Sequence, residues 1–193
     1  MFEALLNHLR EGGAVMLPIG LLALALWWLV FLKARELWEL ITRKRTPEDV
    51  LRDSRDDWQS SIAGDYLASR SGREELDVEL SRVLVERYAG AAEKGIPTIL
   101  VLAATAPLLG LLGTVTGMVD TFGVIAQFGT GNAKGLAAGI SQALITTQSG
   151  LIVAVPGMVA GGLLYRRATK LKARMELFLG GVERIAARKE AHA

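Results

Sequence analysis

Six hydrogen-bonding side chains, Ser141, Gln142, Thr146, Thr147, Gln148 and Ser149, fall within nine positions of an uncharged stretch spanning residues 139–157. Hydroxyls and amides donate and accept hydrogen bonds but carry no charge. At membrane depth such groups either join helices or line a path for water and ions. With roughly 100° per residue on a helix, Gln142, Thr146 and Ser149 share a sector about 60° wide, Ser141 and Gln148 form a second line, and Thr147 points elsewhere. A helix with polar groups on several sides is surrounded largely by protein or water.

The preceding apolar segment carries a matching pattern. Gly110, Thr114, Gly117 and Thr121 make a narrow face of small residues, and Gly113 and Gly117 form a GxxxG that Gly157 and Gly161 repeat in the third segment. For any single residue, packing is the simpler role, since small residues let helix backbones approach and interhelical hydrogen bonds add about 0.6 kcal/mol. Two glutamines, four Ser/Thr and Pro156 in one segment exceed what packing needs, and the set reads as the lining of an ion or water path. Asp120 is the one acidic residue within the spans. A carboxylate at mid-membrane costs several kcal/mol unless paired, hydrated or protonated. Two readings therefore stand, a hydrated interfacial Asp or an entry group for protons or cations.

Other chemistries lack their residues. The chain has no cysteine, and His8 and His192 lie far apart in sequence, so neither a metal site nor His-based catalysis has a constellation. The "GTGNAKG" turn lacks the strand and helix context of a nucleotide loop, and no nucleophile–base pair is evident. The chain reads as a non-enzyme without cofactor. A net charge of +2 with no basic patch interleaved with aromatics gives no case for a nucleic-acid partner.

Charge is segregated along the chain. The 71 residues between Lys94 and Arg166 hold only Asp120 and Lys134, whereas residues 33–94 hold 12 basic and 14 acidic side chains. About 20 apolar residues cross the hydrocarbon layer, which predicts an all-α integral membrane protein with three transmembrane helices and long cytoplasmic helical extensions. The boundaries are a periplasmic N-terminal segment 1–13, transmembrane helices 14–32, 95–127 and 135–165, a cytoplasmic helical loop 33–94, a periplasmic turn 128–134 and a cytoplasmic C-terminal helix 166–193. Glu3, Arg10 and Glu11 before the first span, and charged residues after it in place of a cleavage site, argue against a signal peptide. The second span, roughly 50 Å long if helical throughout, should project beyond the bilayer. Lys and Arg number six in 33–52 and eight in 166–189, against one before the first span and one in the turn. The positive-inside rule then puts the N-terminus in the periplasm and the C-terminus in the cytoplasm.

Two amphipathic stripes flank the spans. Leu76, Leu80, Val83, Leu84 and Arg87 recur at helical spacing, as do Leu171, Met175, Phe178 and Leu179, and the two should pack as a helical bundle. Gly180 and Gly181 are expected to interrupt or end the tail helix.

"TAPLLGLLGTVTGMVDTF" followed by "GLAAGISQALITTQSGLIVAVPG" resembles the MotA/TolQ/ExbB proton-channel family, over about residues 95–170. Three spans rather than four favour the ExbB/TolQ branch. The resemblance implies a bacterial inner-membrane homo-oligomer, a pentamer, whose second and third spans surround a pore. That pore would hold an ExbD/TolR-like single-span partner dimer, and work would pass through a TonB/TolA-like protein to energise outer-membrane transport, or to maintain the envelope in the Tol case. By motif position it implies Thr114 and Thr147 as pore threonines. It also implies a glutamate where this chain has Gln142, which cannot titrate. The proton task would then shift to a partner carboxylate, with Asp120 a second departure from the family pattern.

Overall fold

The computed structural model describes residues 12–43, 45–52 and 57–190. The N-terminal segment up to residue 11, with His8, and the chain end with His192 lie outside these. All regular structure among the described residues is helical: α1 (Met16–Thr42), α2 (Pro47–Arg52), α3 (Trp58–Ser69), α4 (Glu74–Glu93), α5 (Ile96–Phe128), a 3-10 turn (Gly129–Gly131) and α6 (Ala133–Glu190). α1, α5 and α6 supply three helical stretches long and apolar enough to cross a membrane. The chain is an all-α, multi-pass membrane protein.

α4 and α5 are separated at Gly95, whose φ of +89° lies in the left-handed region that glycine enters without strain. Pro97 follows in the first turn of α5, where its missing N–H costs no hydrogen bond. The helix break expected at Gly180 and Gly181 does not occur. α6 runs unbroken past Pro156 and past Gly180 and Gly181 to Glu190. Gly181 instead accommodates Pro47, since a Cβ there would lie 2.8 Å from the Pro47 Cγ. That glycine serves contact rather than termination.

The chain divides into two compact units. The first comprises the described residues up to Phe31 together with Pro97–Gly162. Its outer surface is apolar, with Leu21, Leu24 and Phe31 of α1, Leu108 and Val119 of α5, and Ile152 and Val159 of α6 all exposed. Its interior combines Ile19 and Leu26 of α1 with small residues along α5 and α6, Ala103, Ala106, Ala143 and Ala154 among them. Along α5 and α6, large groups mostly outside and small ones mostly inside suit a solvent as apolar as leucine.

The second unit, Leu32–Ile96 with the chain from Leu163 onward, has the opposite plan. Its core is built from Leu37, Ile62, Tyr66, Leu84, Val85, Leu171, Met175, Leu179 and Val182, with Trp58 meeting Phe178 edge-on at 5.6 Å. The C-terminal stripe Leu171, Met175, Phe178 and Leu179 is wholly buried. The α4 stripe needs correction: Leu84 is buried, but Leu76, Val83 and Arg87 are exposed. The inward line is Asp77, Leu84, Val85, Ala89 and Ala92, with Ser81 half-buried. Asp77 and Ser81 turn inward because both are partnered. The Asp77 carboxylate accepts from the Ser71 and Gly72 backbone N–H groups at 2.7 and 3.1 Å, and the Ser81 hydroxyl lies between the Asp77 carbonyl and the Glu183 carboxylate.

Asp57 caps α3 by accepting the Ser60 N–H at 2.8 Å and pairs with Arg45 at 3.1 Å. Burial by itself raises the Asp57 carboxyl, but the Ser60 and Arg45 hydrogen bonds and the Arg45 charge outweigh it and hold the group below the usual carboxylate range. The folded-state value is therefore below the unfolded one of about 3.9, so the stabilisation is complete above that pH and lost as pH falls through the folded value. Asp57→Ala should lower stability by about 1–2 kcal/mol near neutral pH. Thermal unfolding in detergent, followed by circular dichroism, should show the gap to wild type narrowing as the pH drops below about 4.

Candidate functional site

The polar residues of the first unit are held by a seam between α5 and α6. On α5 the buried positions Ile99, Ala103, Ala106, Gly110, Gly113, Gly117 and Thr121 alternate in steps of three and four; on α6 Gly139, Ala143, Thr146, Gly150, Ala154, Gly157 and Gly161 do the same. That spacing keeps one narrow stripe facing a neighbouring helix. Contact is backbone to backbone: a Cβ on Gly150 would sit 2.7 Å from the Ala106 carbonyl oxygen, one on Gly117 2.8 Å from that of Gly139, and one on Gly110 3.1 Å from that of Thr146. A Cβ on Gly113 would collide with the Thr146 side chain. Gly157 lies against Leu26 and Ala103, and Gly161 against Leu100. All five glycines expected to pack helices are thus in tight contact. Gly139 and Gly150 were missed by motif, although their three–four spacing with Ala143, Ala154 and Gly157 is legible in the sequence.

The seam sorts the polar side chains. Thr146 is 0% exposed and Ser149 8%, so the sector they share with Gln142 is the one turned into the protomer. On that side α6 lies against α5, with Thr146 beside Gly110 and Gly113. Ser141 and Gln148 are on the exposed side, and Gln142, Thr147 and Thr114 are half-buried. The Thr146 hydroxyl bonds the Ala143 carbonyl at 2.9 Å, Ser149 that of Ile145 at 2.8 Å, Thr121 that of Gly117 at 2.8 Å, and Thr114 that of Leu111 at 2.6 Å. Such bonds to the preceding turn satisfy a hydroxyl in an apolar setting. Thr147 differs, because its hydroxyl also reaches across to the Gly110 carbonyl of α5 at 3.2 Å.

Asp120 and Gln142 come together. The Gln142 amide nitrogen lies 3.5 Å from an Asp120 carboxylate oxygen, at the long limit of a hydrogen bond. Gly13, in the left-handed region at φ +67°, lies beside the same amide, and a Cβ there would come 2.6 Å from its nitrogen. Three segments therefore meet at one level: the approach to α1, Asp120 of α5 and Gln142 of α6. Thr147 is five residues further along α6, about 7.5 Å at the helical rise, and Thr114 six residues back along α5, about 9 Å. An ionisable carboxylate beside an amide donor, with hydroxyls a turn or two away, has the groups to pass a proton or hydrated cation. Among the described residues no group of three His, Cys, Asp or Glu is placed to hold a metal ion.

Comparison with known proteins finds that the profile of the MotA/TolQ/ExbB proton channel family matches residues 59–177. The biopolymer transport protein ExbB of Salmonella typhimurium is 28% identical over 187 residues, covering 83% of this chain and 75% of that protein. The biopolymer transport protein exbB1 of Vibrio cholerae is 39% identical over 111 residues, 57% of this chain and 49% of that protein. The Tol-Pal system protein TolQ of Pseudomonas aeruginosa is 33% identical over 99 residues, 51% of this chain and 40% of that protein.

If the seam holds the site, side chains added to it should be costly where those added elsewhere are not. Gly150→Val should destabilise the protein by at least about 1–3 kcal/mol. Gly123→Ala, where nothing lies within 4 Å of the added carbon, should be close to neutral. Melting temperatures of the two variants in one detergent provide the comparison.

Proposed function

Because this chain belongs to the MotA/TolQ/ExbB proton channel family, we propose that it is the channel-forming subunit of a proton-driven complex in a bacterial inner membrane. In this reading its N-terminus is periplasmic and its C-terminus cytoplasmic. Copies of the chain, five by resemblance, surround a path walled by α5 and α6 and occupied by an ExbD/TolR-like single-span partner dimer. A TonB/TolA-like protein carries the work to the outer membrane. That the Salmonella and Vibrio relatives are biopolymer transport proteins favours energised transport as the output. The TolQ likeness supports the alternative of envelope maintenance. The co-purifying partner separates the two.

The observation that carries the reading is the 3.5 Å approach of Gln142 to Asp120. The resemblance calls for an acid at position 142, and this chain has an amide there. The carboxylate that the wall would otherwise lack stands one side chain away, on α5. Asp120 is assigned the uptake and release of the proton, and Gln142 orients the carboxylate by donating to it. Thr147 and Thr114, half-buried and further along, continue the path. Thr146 and Ser149 back the wall by holding α6 against its neighbours rather than facing the path.

Proton flux into proteoliposomes containing the chain and its partner tests these roles. Asp120→Asn should reduce flux at least tenfold, the range of a lost proton-transfer group being about 10²–10⁴, while Asp120→Glu retains a substantial part. Gln142→Leu should impair flux more than Gln142→Glu. Thr147→Val and Thr114→Val should each lower flux with the complex still assembled. Wild-type flux in Asp120→Asn would remove Asp120 from the path, and full flux in both threonine variants would remove the hydroxyls.

A further inference from the structure

The second unit contains a cavity of about 290 Å³ between the last turns of α1 and the middle of α6. Its floor is apolar, formed by Trp38, Ile41 and Leu171, and its α6 side carries Arg167, Lys170 and Arg174. The three cations occur at steps of three and four, so they share one face of the helix. No acidic residue lines the cavity, and among the described residues none of the three forms an ion pair. Like charges so spaced repel one another, whereas Lys33 pairs with Glu36 and Arg45 with Asp57 elsewhere in the unit. We propose that this cavity binds the phosphodiester headgroup of an anionic glycerophospholipid.

Depth along the helices supports a lipid over a soluble phosphate. The uncharged run of α6 ends at Tyr165, so Arg167 and Lys170 lie about 3 and 7.5 Å beyond it at the helical rise. The polar headgroup layer extends roughly 5–8 Å beyond the hydrocarbon on each side. Trp38, six residues after the uncharged run of α1 closes at Leu32 and so about 9 Å beyond it, is 65% exposed at the aqueous edge of that layer, and Arg174, about 13.5 Å beyond Tyr165, stands on its water side. Arg guanidinium groups engage phosphate oxygens in pairs, Lys supplies a point charge, and the apolar floor suits the glycerol and upper acyl chain. A soluble anion has no use for that floor.

The test uses the full chain in nanodiscs of phosphatidylcholine, titrated with phosphatidylglycerol and followed by melting temperature and by native mass spectrometry of retained lipid. Wild type should retain phosphatidylglycerol selectively and melt higher with it. The triple variant Arg167→Gln/Lys170→Gln/Arg174→Gln should bind it on the order of a hundredfold more weakly, since each basic residue near an anionic surface contributes about fivefold. The charge-preserving variant Arg167→Lys/Arg174→Lys should keep most of the selectivity, which separates loss of charge from loss of fold. Absence of phosphatidylglycerol selectivity in the wild type overturns the proposal whatever the variants do. So does unchanged retention in the triple variant, and so does equal protection of lipid-free protein by inorganic phosphate, which would make the site one for a soluble anion.

Discussion

α5 and α6 touch backbone to backbone, and the polar residues of the spans take their positions from that contact. In lipid there is no hydrophobic force to bring two helices together, because the tails are as apolar as leucine. What remains is dispersion between closely fitted atoms, individually about 0.1–0.2 kcal/mol and collectively large. Glycine at 110, 113, 117, 139 and 150 allows the fit. Only at such short range does the Thr147 hydroxyl meet a carbonyl on α5, or the Gln142 amide approach Asp120. A seam of leucines would leave these groups without their cross-helix partners.

The buried stripe of α6 continues past the seam but changes size. Gly139, Ala143, Thr146, Gly150, Ala154, Gly157 and Gly161 give way to Leu164, Ala168, Leu171, Met175, Phe178 and Val182, mostly larger and at the same three–four spacing. The periodicity belongs to the helix, and the residue size reports the solvent. Where water surrounds the helix, each Å² of apolar area removed from it contributes about 25 cal/mol, so large side chains go inside. Where lipid surrounds it, large side chains gain nothing by being inside and small ones gain proximity.

This difference explains what the sequence disclosed. Uncharged length and charge segregation suffice to place three spans, because those quantities are set by the bilayer. The tail stripe at Leu171–Leu179 follows from periodicity for the same reason: large apolar residues next to water have one stable direction. In α4 the rule misled, because Asp77 and Ser81 are inward-facing polar residues whose partners, Ser71, Gly72 and Glu183, are invisible to a periodicity count. Gly180 and Gly181 were misread by propensity, which says how costly a glycine is and not which neighbour it admits. Within the spans the polar sector of Gln142, Thr146 and Ser149 was recognised as one face, but direction could not be assigned. Lipid-facing, protein-facing and path-facing surfaces differ by contact, and the pairing of Gln142 with Asp120 joins positions 22 residues apart.

The hydroxyls of the seam have a consequence for the sign of charge the site tolerates. A threonine or serine hydroxyl has one proton, and those of Thr114, Thr121, Thr146, Thr147 and Ser149 are directed at helix carbonyls. Toward any other visitor such an oxygen offers lone pairs only, and the nearby Asp120 carboxylate, when ionised, offers nothing else. A hydronium ion or metal cation at the half-buried Thr114 and Thr147 and at Asp120 finds acceptors, whereas chloride finds the Gln142 amide as donor beside a repelling charge. The helix backbone, by engaging the side-chain protons, thereby turns a formally neutral row of alcohols into acceptors.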